Sequence, residues 1–245
     1  MSDAANPGPR AGTIWRVVEA QHRVSTMKLI DNADEQRILE ELLDASKPPV
    51  PAACAGLHYL LFTPFRYEAR ADSRFRRAGA TPPVFYAAER VETAVAEIAF
   101  WRLLFFLESP GTPWPSNPLE LTAFSARYKV DRCVDLTIAP YVAREAEWRD
   151  PTDYAACHDL ADAARAMKAL AIRSMSARDP DGGTNLTLLG CEAFAAREPT
   201  EQRSWRMKLS AAGVYARCDL PISDLVFDRD AFTRDLRVAR ARWDR

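Results

Sequence analysis

The residues able to do chemistry in this chain gather between Pro64 and Arg102. Five arginines, Arg66, Arg70, Arg74, Arg76 and Arg77, fall close together, diluted only by Glu68 and Asp72. A guanidinium is the side chain best matched to two phosphate oxygens at once. Tyr86 ends a short apolar run, and Glu97 follows in an otherwise apolar helical stretch with Thr93, Ala94, Phe100 and Trp101 as its helical neighbours. An ionised carboxylate in such surroundings is costly unless partners or a ligand satisfy it. Arginines able to grip phosphate, beside one carboxylate that needs a partner or ligand, make a site for a polar, anionic ligand.

Each of these residues also has a plainer reading. Arg70, Arg76 and Arg77 read as a solvated surface loop that pairs with nearby acids. Arg66 and Arg74 differ, because each sits beside an aromatic, Tyr67 and Phe75. That mix suits holding a nucleotide's phosphates while rings shield the base. Tyr86 is either core or a ring stacked on a planar heterocycle, its hydroxyl directed to solvent or a ribose. Glu97 is either part of a site or half of a buried ion pair with Arg102 or a strand arginine. Ser174 and Ser176 precede the Gly182-Gly183 turn, where serines commonly bond local backbone.

Several chemistries are set aside. The chain has no GxGxxG, no GxxxxGK[ST], no HExxH, no GxSxG and no CxxC pair. His22, His58 and His158 are far apart and read as structural or surface residues. Cys54, Cys133, Cys157, Cys191 and Cys218 are scattered, an odd count that reads as reduced thiols used as small core residues of a cytoplasmic protein. No apolar run has the length of a membrane span or a leader. With 33 basic and 34 acidic residues the net charge is −1, so no global attraction to nucleic acid or anionic membrane is expected.

The elements that must position these residues read as an α+β domain, because helices and strands mix without regular βαβ alternation. Residues 1–12, rich in Pro, Gly and Ala, read as a disordered arm, and 13–245 as one domain. Strands are expected at Ile14–Val18, Leu57–Phe62, Val84–Ala88, Cys133–Ala139, Asn185–Gly190 and Trp205–Ser210. Helices are expected from a cap at Asn32 or Asp34 to about Ala45, with Ile38, Leu39, Leu42 and Leu43 as the apolar face. Others are expected over Val91–Phe106, buried nearly all round, over Thr152–Leu170, and at about 230–243 with Phe232, Leu236, Ala239 and Trp243 on one face. Asp179–Gly183 reads as a turn.

PFRY at 64–67, SRF at 73–75, VFYAAE at 84–89, TAVAE at 93–97 and SARDPDGGTNLTLL at 176–189 together resemble the RES domain, named for its arginine, glutamate and serine. The likeness runs from about residue 14 to about 215. It implies a compact α+β core with a mixed sheet, similar to ADP-ribosyltransferase toxins of the diphtheria-toxin type, whose central cleft binds NAD as substrate without a metal. Members are bacterial toxins that consume NAD by hydrolysis or phosphorolysis, or pass ADP-ribose to a protein, as in the branch called ParT. By motif position Arg74, Tyr86, Glu97 and Ser176 are the family's catalytic residues, with Ser174 a rival to Ser176. Arg66, Arg74, Phe75, Tyr86 and Ser176 would line the NAD site. The implied partner is an antitoxin with a DNA-binding helix-turn-helix domain, beside a protein acceptor for ADP-ribose. The sequence departs from the pattern at 109–118, at 140–158 and in its arginine-rich C-terminal segment, which leaves the acceptor open.

In that reading Arg74, with Arg66, holds the pyrophosphate, and Tyr86 stacks on the nicotinamide or its ribose. Glu97 bonds the ribose hydroxyls and stabilises an oxocarbenium-like charge. Ser176 either bonds the nicotinamide end or orients Glu97. Two other classes compete. One is an RNA-binding role for the arginine loop with Arg234, Arg237, Arg240 and Arg242, which near-neutral charge disfavours. The other is an interaction module in which Glu97 is a core ion pair.

Overall fold

A computed structural model of the chain describes residues 7–20, 30–79 and 83–243. The long strands β1 (Gly8–Glu19) and β3 (Leu119–Asp135) pair antiparallel along nearly their whole length. Beside β1 runs β2 (Phe85–Ala88), then β5 (Thr184–Leu188), then β4 (Ala171–Met175), which lies parallel to the end of β3. These five strands therefore close a ring. From the first half of β3 the sheet continues as an antiparallel meander through β6 (Glu201–Ser210), β7 (Gly213–Cys218) and β8 (Ser223–Asp228).

Period-two alternation explains how one sheet serves two cores. Phe124, Ala126, Tyr128 and Val130 of β3 turn into the ring and meet Ile14, Phe85, Ala87, Leu186 and Leu188. Leu121 and Ala123 turn outward, where helix α3 (Val91–Glu108) packs through Val95, Ala99, Phe100 and Leu103 against them and against β6 and β7. Helix α2 (Tyr59–Arg66) closes the ring with Leu60, Leu61 and Phe65. On another outer face α4 (Glu145–Trp148) and α5 (Ala155–Ala166) bury Trp148, Cys157 and Ala161 against Val134 and Ile172. Each fully buried large apolar side chain contributes roughly 2 kcal/mol.

The structure is a single α+β domain with a mixed sheet, as the element order predicts. The first helix, α1 (Ala33–Ala45), begins where expected, with the Asn32 side chain accepting from the Glu35 N–H, but none of its residues is buried. Four expectations are corrected. Residues 8–12 belong to β1 and not to a disordered arm; residues 1–6 lie outside the described residues, as does His22. The apolar run at Leu57–Phe62 enters α2, because His58 Nδ1 accepts from the Leu60 N–H and starts a helix there. A short apolar run alone does not separate strand from helix.

The C-terminal helix shrinks to α6 (Leu236–Ala239). Asp228 takes the N–H groups of Asp230 and Ala231, and Asp235 takes that of Arg237, so side chains hold backbone donors that a long helix needs. Finally, Cys54 and Cys191 form a disulfide, with Cα atoms 5.3 Å apart, that ties the approach to α2 to the segment after β5. Cys133, Cys157 and Cys218 are buried thiols, as expected. No described helix is long and apolar enough to cross a membrane.

One rim of the ring is charged. Arg173 grips both oxygens of Glu89, at 2.7 and 2.8 Å, and reaches Asp135 at 3.4 Å, while Arg10 bonds Asp135 at 2.7 Å. Hydrogen bonding to Arg173 holds the Glu89 carboxyl below its ordinary range. Asp135 is lowered too: burial alone would raise it, but bonds from Thr137 and the charges of Arg173 and Arg10 prevail. Both carboxyls therefore add stability above the unfolded carboxylate range near pH 4, and that stability is lost as pH falls through their depressed folded values. Glu89→Gln should lower unfolding free energy by about 2 kcal/mol at pH 7 and flatten the acid limb, measured by urea titration at several pH values.

Candidate active site

Antiparallel register assembles one wall of a pocket. Trp15 lies opposite Ala88, Ala88 opposite Asn185, and Asn185 opposite Ser174, so four strands contribute one row. Two residues along, Tyr86 lies opposite Thr187 and shares that face. Among the described residues β1 meets β2 at Trp15 and Ala88. Close to that seam Arg16 sends its guanidinium 2.7 Å to the Tyr86 carbonyl oxygen. The opposite wall is α3, through Ala94, Glu97, Ile98 and Trp101. The turn at Ser73–Arg76 and the side chains of Tyr154 and Arg178 complete a cavity of about 360 Å³.

The Ser73–Arg76 turn is tightly made. Ser73 and Arg76 exchange backbone hydrogen bonds at 2.8 and 3.0 Å. The Tyr86 hydroxyl accepts from the Phe75 N–H at 3.0 Å and bonds Ser73 Oγ at 2.9 Å. His158 Nε2 lies 2.9 Å from the Ser73 carbonyl oxygen, the structural role expected of it. Phe75 is 1% exposed and packs with Trp148 and Cys157. It lines the pocket, as expected, and its buried ring anchors the turn, with the Arg74 guanidinium 5.9 Å from the ring centre. Tyr86 lines the pocket, yet its hydroxyl serves the turn instead of solvent. Burial pushes its phenol above its ordinary value, so it stays protonated at neutral pH.

Glu97 is held from two elements. Ser176 Oγ donates to Oε1 at 2.6 Å, and Asn185 Nδ2 donates to the same oxygen at 2.5 Å. Ser176 itself accepts the N–H groups of Arg178, at 3.1 Å, and Asp179, at 2.9 Å. The turn that makes this possible needs its glycines: Gly182 has φ +74°, and a Cβ on Gly183 would collide with Thr93 and Asp179. Between the two sequence alternatives, Ser176 orients Glu97, whereas Ser174 faces the pocket and accepts from Arg74 at 3.3 Å. The expected partner of Glu97, Arg102, pairs with Glu19 instead, so Glu97 is not half of that core ion pair.

The arginines divide in an unexpected way. Arg66 is turned away, bonded to Asp44 Oδ1 at 3.0 Å and to the Pro48 carbonyl oxygen, and does not line the pocket. The sequence reading that gave it the pyrophosphate is corrected. Arg77 pairs with Asp159 and Asp162 on the surface, as expected, but Arg76 does not follow it. Arg16, Arg74 and Arg76 all line the pocket, and among the described residues none has a carboxylate partner. Arg74 donates to Ser174 Oγ and, at 2.9 Å, to the Met175 carbonyl oxygen, both neutral. Burial and then the neighbouring charge of Arg76 pull Arg16 down to about 10, with Tyr86 acting the other way.

Three buried polar atoms in this pocket have no hydrogen-bond partner among the described residues: Arg76 Nε, Asn185 Oδ1 and Thr187 Oγ1. Each such group costs about 1–3 kcal/mol when left unsatisfied, so their convergence marks a place for a polar ligand. An anion there would relieve the repulsion among three guanidinium groups as well. Arg16, Asn185 and the pocket tryptophans were not among the expected site residues, and Arg76, expected on the surface, lines the pocket instead. Trp101, one helical turn beyond Glu97, was the one with a visible signal. Burial pushes the Cys133 and Cys157 thiols up to about 11, which favours their protonated form.

A family model for the RES domain matches residues 50–210 of the chain. Among solved structures, a chain of the M. tuberculosis MbcT–MbcA toxin–antitoxin complex aligns at TM-score 0.47 with 16% identity, covering 82% of this chain and 88% of that one. No curated protein matches the sequence.

Arg76→Gln should weaken binding of inorganic pyrophosphate about tenfold in calorimetry and reduce its salt dependence, because it removes an unpaired pocket cation. Arg77→Gln, one residue on but paired at the surface, should leave that affinity unchanged. Tyr86→Phe should weaken binding too, by freeing the turn that carries Arg74 and Arg76.

Proposed function

The chain belongs to the RES domain family, and on that premise we propose that it is the toxin of a toxin–antitoxin pair. It cleaves NAD at the nicotinamide–ribose bond and transfers ADP-ribose to a protein acceptor. The fold in this reading is ADP-ribosyltransferase-like, and the pocket is its NAD cleft. The observation that carries the proposal is one oriented carboxylate, Glu97, in a cavity where Arg16, Arg74 and Arg76 have no carboxylate partner among the described residues. Three guanidinium groups against one carboxylate leave room for the two charges of a dinucleotide pyrophosphate.

Cleavage of the glycosidic bond leaves positive charge on the ribose, and a fixed carboxylate stabilises it better than mobile water does. Glu97 uses Oε1 for Ser176 and Asn185, so Oε2 is the oxygen directed to the ribose hydroxyls. Arg16, Arg74 and Arg76 hold the pyrophosphate, and fixing the dinucleotide at both ends orients the scissile bond. Asn185 Oδ1 and Thr187 Oγ1 are acceptors for the donors of the substrate's amide or hydroxyl groups. Trp15, Trp101 and Tyr154 offer faces for the planar bases. Nicotinamide departs with the bonding electron pair, and the acceptor nucleophile closes the new bond to the ribose. The partner in this reading is an antitoxin bearing a helix-turn-helix domain, and the setting is the bacterial cytoplasm.

Purified protein incubated with NAD and cell lysate should release nicotinamide and label a protein band from NAD carrying a marked adenine. Release without lysate would replace the transferase with a hydrolase, or with a phosphorylase if added phosphate accelerates it. No release in either condition would overturn the proposal. Glu97→Gln should lower kcat by about 10³-fold while NAD affinity stays within about twofold, because charge is lost and shape is kept.

A further inference from the structure

The chain continues past residue 210, the end of the family match, and the continuation returns to the pocket through one buried ion pair. Arg178 Nη1 donates to Asp235 Oδ2 at 2.9 Å, with the two side chains 5% and 1% exposed. Arg178 Nη2 donates to the Pro151 carbonyl oxygen at 2.6 Å. Its guanidinium carbon lies 3.9 Å from the Phe100 ring centre and 5.5 Å from that of Trp101. Arg178 also lines the cavity that Glu97 lines, and its backbone N–H holds Ser176, which holds Glu97. The same arginine thus touches the pocket by its side chain and the Glu97 support by its backbone.

Asp235 is well fixed for this task. Its Oδ1 caps α6 through the Arg237 N–H, and Arg237 adds a side-chain bond at 2.7 Å. Phe232, three residues earlier, is buried against Phe100 with ring centres 5.7 Å apart. The C-terminal segment is therefore docked on the same helix that carries Glu97.

We propose that Asp235 is a positioning residue of the reaction, which holds the Arg178 guanidinium away from Glu97. The inference rests on the NAD-cleaving reading of the pocket. The physical reason is competition. Without Asp235, Arg178 keeps a charge buried against the Phe100 ring, and the carboxylate that lines the shared cavity is Glu97. An Arg178–Glu97 pair would neutralise the charge that the oxocarbenium needs while leaving the pyrophosphate arginines untouched.

The test compares wild type, Asp235→Asn and the double variant Asp235→Asn with Arg178→Gln, in the full chain. Asp235→Asn should lower kcat for nicotinamide release by about tenfold or more, with KM for NAD within about twofold. The double variant, which keeps no buried charge to redirect, should recover kcat to within about threefold of wild type. A crystal structure of Asp235→Asn should show the Arg178 guanidinium within hydrogen-bond distance of Glu97. Unchanged kcat in the single variant, or a double variant no better than the single, would overturn the inference. If Asp235→Asn does not fold, the double variant alone decides, and its inactivity counts against the proposal. If wild type releases no nicotinamide, the NAD reading fails, and the crystal structure still decides where Arg178 goes.

Discussion

Charge that the protein leaves unbalanced governs the pocket. Arg16, Arg74 and Arg76 converge on one cavity without a carboxylate among them, and the carboxylate across from them, Glu97, is already engaged at one oxygen by Ser176 and Asn185. Elsewhere the same chain pairs its charges closely, as in the Arg10–Asp135–Arg173–Glu89 rim. A protein that satisfies charge on one end of a strand ring and withholds it beside the seam of the same ring has set aside a place for an anion. The cost of assembling like charges is carried by the buried ring and by α3.

The ring explains why the site is stiff. β1 and β3 are long and paired throughout, so Trp15 and Arg16 are placed by a ladder of many bonds. β2 is short but locked between β1 and β5, which fixes Tyr86, and the Tyr86 hydroxyl in turn fixes the arginine turn. Phe75 pins that turn into the α5 core, so Arg74 and its neighbour are presented from a rigid base. The groups meant to act on a ligand are thus mostly held by groups that act on nothing else.

Much of this was legible in the sequence, for reasons that can be named. Glu97 stood out because a carboxylate in an apolar helix demands an explanation, and Ser176 because it follows from a motif. The helix over Val91–Glu108 and the strand at Phe85–Ala88 were visible in periodicity and length. Arg66 misled because its aromatic neighbour mimicked a nucleotide grip, whereas Asp44, far away in sequence, claims it. Arg16 was invisible for the opposite reason: it sits in a short strand segment whose other residues, Ile14, Trp15, Val17 and Val18, are apolar, and only closure of the ring shows that it reaches the seam. The Cys54–Cys191 disulfide spans 137 residues, and spacing alone cannot announce such a contact. The C-terminal helix failed because apolar spacing ignores aspartates that bind the backbone locally.

The most direct test of the account is a crystal structure of the Glu97→Gln variant with NAD, in which binding is kept and turnover is removed. The pyrophosphate is expected within hydrogen-bond distance of the Arg16, Arg74 and Arg76 guanidinium groups, and the nicotinamide ribose at residue 97. A dinucleotide bound elsewhere on the surface, or a pocket that stays empty at saturating NAD, would contradict it.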